Sequence, residues 1–208
     1  DPNVTTSASN AVDFDGQSTG ISVTGMSSQF TAFTAEVWVK PDYVDINNMP
    51  VLRLNSLSNQ PATIFINALP DDSFSVGKAV AWFSVVGDND NDLNHTDVSG
   101  SSIEHEFRTN LTDGEWHHLA VAYDGANTIT MYVDGALETS DDSWPTYSGN
   151  ISSAYFGLGG PGSSLGVHYS GGMADLRLWD HARSIEEINA GKNQPMSGNE
   201  AGLVGAWK

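Results

Sequence analysis

The stretch Gly114-Glu115-Trp116-His117-His118-Leu119-Ala120-Val121-Ala122-Tyr123-Asp124-Gly125, followed by Thr128-Ile129-Thr130-Met131-Tyr132-Val133-Asp134-Gly135, constrains this chain more than any other. Residues 116–123 and 128–133 have the β-branched and aromatic content, and the alternation, of two strands. They are joined at Asp124-Gly125, and a second turn follows at Asp134-Gly135. Asp-Gly pairs accept the positive φ angles of tight hairpin turns. A chain organised around such a hairpin buries one face of a sheet, which favours a layered β-structure over α/β.

The pattern recurs along the chain. Further strand-like runs lie at 11–15, 20–24, 33–40, 50–55, 62–68, 73–86, 103–108, 151–158 and 172–180, separated by Gly, Asn, Asp and Ser. Between residues 33 and 39, Phe33, Ala35, Val37 and Val39 share one face, and Thr34, Glu36 and Trp38 the other. A final strand is expected at Leu203–Trp207, pairing near the first and bringing the ends of the sandwich together. The helical signal is confined to Ser184–Ala190, opened by a capping box of Ser184 and Glu187. With no repeat and no low-complexity linker, residues 1–208 read as a single all-β sandwich, a module of a larger chain.

Charge and composition remove several classes of function. Twenty-six acidic residues against eight basic ones give a net charge of −18, which repels phosphate backbones, so nucleic acid is not an expected partner. No run of 18 apolar residues exists, so membrane insertion by a helix is not expected. The chain has no cysteine, which excludes disulfides, cysteine zinc sites and thiol catalysis. The acidic excess suits either solubility in a salty medium or binding of a hard cation such as Ca²⁺.

Several blocks of the sequence, taken in order, resemble the laminin-G-like family. They are Val12-Asp13-Phe14-Asp15-Gly16 with Ile21-Ser22-Val23, Phe33 through Pro41, the hairpin above, Gly172 through Trp179, and Ser184-Ile185-Glu186-Glu187-Ile188. The resemblance implies a concanavalin A-like jelly roll of two antiparallel sheets with one short helix. It also implies a lectin-like, carbohydrate-binding or peptide-binding role outside the cell. In such domains an acid in the first strand region and one in the late strand help to hold Ca²⁺; here these are Asp15 and Asp175. Thr19 and Ala174 stand where the family pattern carries further acids.

The residues offer other candidates. Asp88, Asp90 and Asp92 have a D-x-D-x-D spacing and Asp97 follows, a dense set of oxygen ligands for Ca²⁺. Trp144 and Tyr147, beside Asp141 and Asp142, lie in a polar segment outside any evident strand and offer a stacking platform for a sugar ring. His168 and Tyr169, in the glycine- and serine-rich stretch before Gly172, form a second such set. Trp38, Trp82, Trp116 and Trp179 fall in strands and are expected in the core. His117 and His118 are adjacent in a strand and point to opposite faces, so they cannot ligate one ion. Glu104 and Glu106 share a strand face but lack the third acid of a retaining glycosidase motif. The expectation is therefore a non-catalytic, calcium-dependent glycan-binding adhesion module. It would be monomeric within a bacterial secreted or cell-surface protein. A protein-binding adhesin domain and a structural spacer are the alternatives.

Overall fold

In the computed structural model, the alternation read from the sequence becomes a set of antiparallel ladders. The structure describes residues 11–30, 32–42, 51–56, 62–68, 78–85, 103–111, 113–142, 149–157 and 168–208. Along these the chain forms β1 (Val12–Asp15), β2 (Ile21–Phe30), β3 (Phe33–Pro41), β4 (Leu52–Ser56), β5 (Ala62–Ala68), β6 (Lys78–Val85) and β7 (Ile103–Asn110). There follow β8 (His117–Tyr123), β9 (Ile129–Val133), β10 (Ala136–Asp141), β11 (Gly149–Phe156), β12 (Ser170–Trp179), the helix α1 (Ile185–Gly191) and β13 (Leu203–Trp207).

One layer is a seven-stranded antiparallel sheet in the order β1-β12-β3-β8-β9-β10, with β13 also paired to β12. The other is built from β2-β11-β4 and β5-β6-β7, which meet where β4 runs beside β5. Two antiparallel layers with one short helix make the concanavalin A-like jelly roll that the resemblance implies. Val12 through Asp15 pair with Met173 through Ser170, whereas β13 pairs with Leu176 through Trp179. The first and last strands thus lie end to end along the same edge of β12.

Alternate residues of both layers meet between them. Phe14, Phe33, Leu54, Leu119, Tyr123, Ile129, Met131, Phe156 and Met173 are all buried there. Each such side chain contributes about 1.5–3 kcal/mol by leaving water. On β3, however, every residue from Phe33 to Val39 is buried, including Thr34, Glu36 and Trp38 on the opposite face. The segment that follows β12 is the cause, because it folds back across the outer face of the seven-stranded sheet. Thr34 Oγ1 donates to the His181 carbonyl at 2.8 Å, and Trp38 Nε1 to that of Lys192 at 3.1 Å. Arg177 donates to the carbonyls of Gly191 (2.7 Å) and Gln194 (2.8 Å).

The strap includes α1, which is too short to be stable by itself. Its capping box is formed as expected, with Glu187 N donating to Ser184 Oγ and Ser184 N to Glu187 Oε2. Ile188 is fully buried beneath it.

Candidate ligand-binding site

The strand register assigns each candidate residue to one end of the sheet. β8 starts with His117 opposite Val39 and finishes with Tyr123 opposite Phe33. At a rise of about 3.3 Å per residue these two ends lie about 20 Å apart.

At the Tyr123 end, Asp141 is the last residue of β10 and pairs with Ile129. Asp142 is exposed, and its carbonyl accepts a 2.6 Å hydrogen bond from Asn127 Nδ2. The neighbouring turn is organised by Asp124, whose Oδ1 accepts from the N–H groups of Ala126, Asn127 and Thr128 at 2.8–3.0 Å. Asp124 and Asp142, both exposed, thus stand beside Asn127 at this rim. Trp144 and Tyr147, and the calcium candidates Asp88, Asp90, Asp92 and Asp97, lie outside the described residues. β10 itself departs from the sequence reading, which has no strand between residues 133 and 151.

At the His117 end, Tyr169 is fully buried. Its ring packs edge-on against Phe14 at 5.7 Å and its hydroxyl donates to the Gly172 carbonyl at 3.1 Å. A sugar cannot reach it, so the expected role of Tyr169 in ligand contact is corrected to a core role. Its neighbour His168 is partly buried. The two sets expected to contact ligand, Asp141 with Asp142 and His168 with Tyr169, therefore do not converge on one surface.

Asp15 and Asp175 do not converge either. Asp15 lies opposite Ser170, five residues along β12 from Asp175, a separation on the order of 15 Å. One Ca²⁺ ion, with ligands at 2.3–2.6 Å, cannot be shared by both. The Asp15 carboxylate closes its own turn. Its Oδ1 accepts from the N–H groups of Gln17, Ser18 and Thr19, and its Oδ2 from Ser18 Oγ. These bonds, led by the Ser18 and Thr19 amides, hold its carboxyl far below the usual carboxylate range. Asp175 has φ of 47° and sits at a break in register between β12 and β3. The expected calcium pair of Asp15 and Asp175 is thus not a site.

The two histidines point to opposite faces, as alternation requires. His117 is clamped between two carboxylates, Nδ1 2.9 Å from Asp134 Oδ2 and Nε2 3.1 Å from Asp113 Oδ1. The Asp134 contact, opposed by burial and assisted by Asp113, raises its pKa to about 8. His118 is buried on the outer face, Nε2 3.3 Å from Glu36 Oε2, near enough for an ion pair but not aligned as a hydrogen bond. Burial, resisted by Glu36, pushes His118 below its ordinary pKa. For Glu36 burial pushes the carboxyl up, but His118 and Arg183 outweigh it and the net shift is downward. Arg183 Nη1 donates to Glu36 Oε1, and its guanidinium lies 4.1 Å from the centroid of the Trp179 ring. These buried charges tie the strap to the sheet.

Glu104 and Glu106 lie in β7 opposite Trp82 and Val80. A small apolar crevice lined by Val12, Phe14, Ile21, Met173 and Trp207 encloses about 30 Å³, room for about one water. It is too small and too dry for a sugar. Trp38 and Trp179 are buried as expected, but in the layer beneath the strap and not between the sheets. Trp116 departs from the core expectation, being partly exposed at the His117 end. Its position just before the strand proper is the signal that distinguishes it from the others.

Comparison with known proteins agrees with this architecture. Residues 15–189 match a family model described as the concanavalin A-like lectin/glucanases superfamily. A structure from Bacteroides ovatus, provisionally assigned as a carbohydrate binding protein, superposes with a TM-score of 0.65 at 16% identity. That match covers 96% of this chain and 51% of the other, so the chain spans about half the length of that protein. The heptameric SAP-like pentraxin of Limulus polyphemus gives 0.61 at 14% identity, over 86% of this chain and 79% of that one. Domain 4 of AbnA, a GH43 extracellular arabinanase from Geobacillus stearothermophilus solved with arabinotriose, gives 0.58 at 19% identity, over 86% and 75%. At these identities the structures share the fold. No curated protein matches the sequence.

Proposed function

Because the chain belongs to the concanavalin A-like lectin/glucanases superfamily, we propose that it is a non-catalytic ligand-binding module of a secreted or cell-surface protein, with a glycan as its ligand. The observation that carries the non-catalytic reading is the use to which the buried ionisable groups are put. Glu36, Arg177 and Arg183 hold the strap, His118 lies against Glu36 beneath it, and His117 bridges Asp113 and Asp134. Each is engaged in a structural contact, which suits a binding scaffold better than proton transfer. The glycan reading is supported by the same fold in an arabinanase domain solved with arabinotriose. On this reading the Tyr123 end contributes Asp141, Asp142, Trp144 and Tyr147 to ligand contact.

Calcium is part of the proposal, through the segment carrying Asp88, Asp90, Asp92 and Asp97. That segment has the oxygen-ligand density the ion prefers, and Asp15 and Asp175 are too far apart to share one. The test is a glycan array probed in millimolar CaCl₂ and again in EGTA, alongside melting curves in both. Binding that disappears in EGTA, with a stabilisation of about 2.7 kcal/mol at a hundredfold excess of calcium over Kd, is the expected result. A blank array refutes the glycan ligand. Identical melting and binding in both buffers refute calcium, and release of reducing sugar from any bound glycan refutes the non-catalytic reading.

A further inference from the structure

The row of residues across the His117 end of the seven-stranded sheet is set by register. Asp13 on β1 lies opposite Gly172 on β12, and Gly172 opposite Lys40 on β3. Since Val39 faces His117, Trp116 stands opposite Lys40. Phe14 and Met173 point into the core, so Asp13, Gly172, Lys40 and Trp116 share the outer face. This is the face that the strap covers farther along, over Trp38 and His118. Here the strap has ended, and Asp13 and Lys40 are exposed.

Gly172 explains where the Trp116 ring goes. A Cβ at this position would sit 2.6 Å from Trp116 Cη2 and 2.9 Å from Cζ2, so the benzo edge of the indole rests on the glycine. β8 and β12 are two strands apart, about 10 Å. To span that distance the indole lies across β3 rather than standing away from the sheet. It remains partly exposed, and its N–H makes no hydrogen bond among the described residues and is not sealed from solvent. Trp38, one row along, differs on both counts, being buried and bonded to the strap.

We propose that Trp116, laid across β3 onto Gly172, is a stacking platform for one sugar ring of a glycan, with Lys40 and Asp13 bonding its hydroxyls. The platform rests on the glycan reading above but lies about 20 Å of strand away from the Asp141 rim, so it is a second contact region. A flat ring with a free donor at its edge, flanked by a cation and a carboxylate, matches the alternation of apolar faces and hydroxyl rims on a sugar. A nonpolar protein side chain would leave the Lys40 and Asp13 charges unanswered.

The test compares wild type with Trp116→Ala, Trp116→Phe, Gly172→Ala and Lys40→Met for binding to arabinotriose, cellotetraose, chitotetraose and the array. Calorimetry gives affinity and a melting curve gives stability. We expect Trp116→Ala to weaken binding at least about tenfold, which is about 1.4 kcal/mol, and Lys40→Met to weaken it severalfold. Trp116→Phe keeps a stacking face and loses less. Gly172→Ala changes none of the contacting side chains chemically but lifts the Trp116 ring, so binding should fall there too. The Trp116 indole ¹⁵N–H signal, assigned from the Trp116→Phe spectrum, should shift on titration with the tightest oligosaccharide. Should Trp116→Ala unfold, Trp116→Phe, Gly172→Ala and the indole signal decide the matter. Wild-type binding that survives unchanged in all four variants overturns the platform and leaves the glycan reading standing. A wild type that binds no glycan overturns both.

Discussion

The His117 clamp gives the chain a pH dependence whose sign and size follow from geometry. His117 is nearly buried, its side chain 9% exposed, with a carboxylate oxygen on each ring nitrogen. Both contacts are donors' contacts only when the ring is protonated. The folded pKa of about 8 exceeds the ordinary 6.5. Below about pH 6.5 both folded and unfolded chains carry the proton, and the contribution is fully present. It is lost as pH rises through about 8. The difference between about 8 and 6.5 corresponds to about 2 kcal/mol, at about 1.36 kcal/mol for each tenfold change in proton affinity. Asp113 and Asp134 are 42% and 47% exposed, so solvent screening reduces the expected effect to about 1 kcal/mol. His117→Gln removes the titration and keeps one donor. Urea unfolding of wild type and variant at pH 6, 7, 8 and 9, at fixed ionic strength, isolates it. The wild-type advantage should be about 1 kcal/mol at pH 6 and gone by pH 9. An advantage that stays flat, or grows with pH, refutes the clamp.

Two further substitutions probe the strap and the second hairpin. Glu36→Gln strips the charge from a group 1% exposed, leaving the buried Arg183 without its anion, and should cost about 3–5 kcal/mol in urea unfolding. A loss under about 1 kcal/mol would show that the strap does not depend on it. Gly135→Ala places a Cβ at φ of 81°, 1.8 Å from Asn189 Oδ1. A cost of about 1–3 kcal/mol is expected, visible as a melting point several degrees lower. An unchanged melting point would mean that the turn is not fixed by the α1 contact.

The core face of each strand was legible because alternation is imposed by the pleat, and β3, β8, β9, β12 and β13 lie close to where the sequence put them. The strap was less so. Thr34, Glu36 and Trp38 read as an outer face, and only a third layer, supplied by residues 147 to 149 positions away, buries them. The tryptophan among them was the one hint that this face is dry. β10 was missed because its residues are mixed and an edge strand has little need of apolar alternation. Yet the turn before it already implied a returning strand. Asp134 and Gly135 have φ of 53° and 81°, the left-handed pair of a type I′ hairpin, which joins two strands. Asp124-Gly125 looks alike in sequence but opens a longer connection to Thr128, organised by the Asp124 side chain. The calcium pairing of Asp15 with Asp175 failed because order along a chain does not give register. A shift of five residues along β12 separates what a motif places side by side.

The shared edge of β12 bears on how this fold would carry tension. Val12, at the start of β1, pairs with Met173, and Trp207, at the end of β13, pairs with Leu176. The points where chain enters and leaves therefore face each other across Ala174 and Asp175. A pull applied through both ends would peel β1 and β13 outward from that point, opening one pair of hydrogen bonds after another. Strands loaded lengthwise from opposite ends share the force among all their bonds at once, but this arrangement does not. Stretched from its two ends, the sandwich would open like a zipper at its edge, while the ladders of β3, β8 and β9 behind it stayed unloaded.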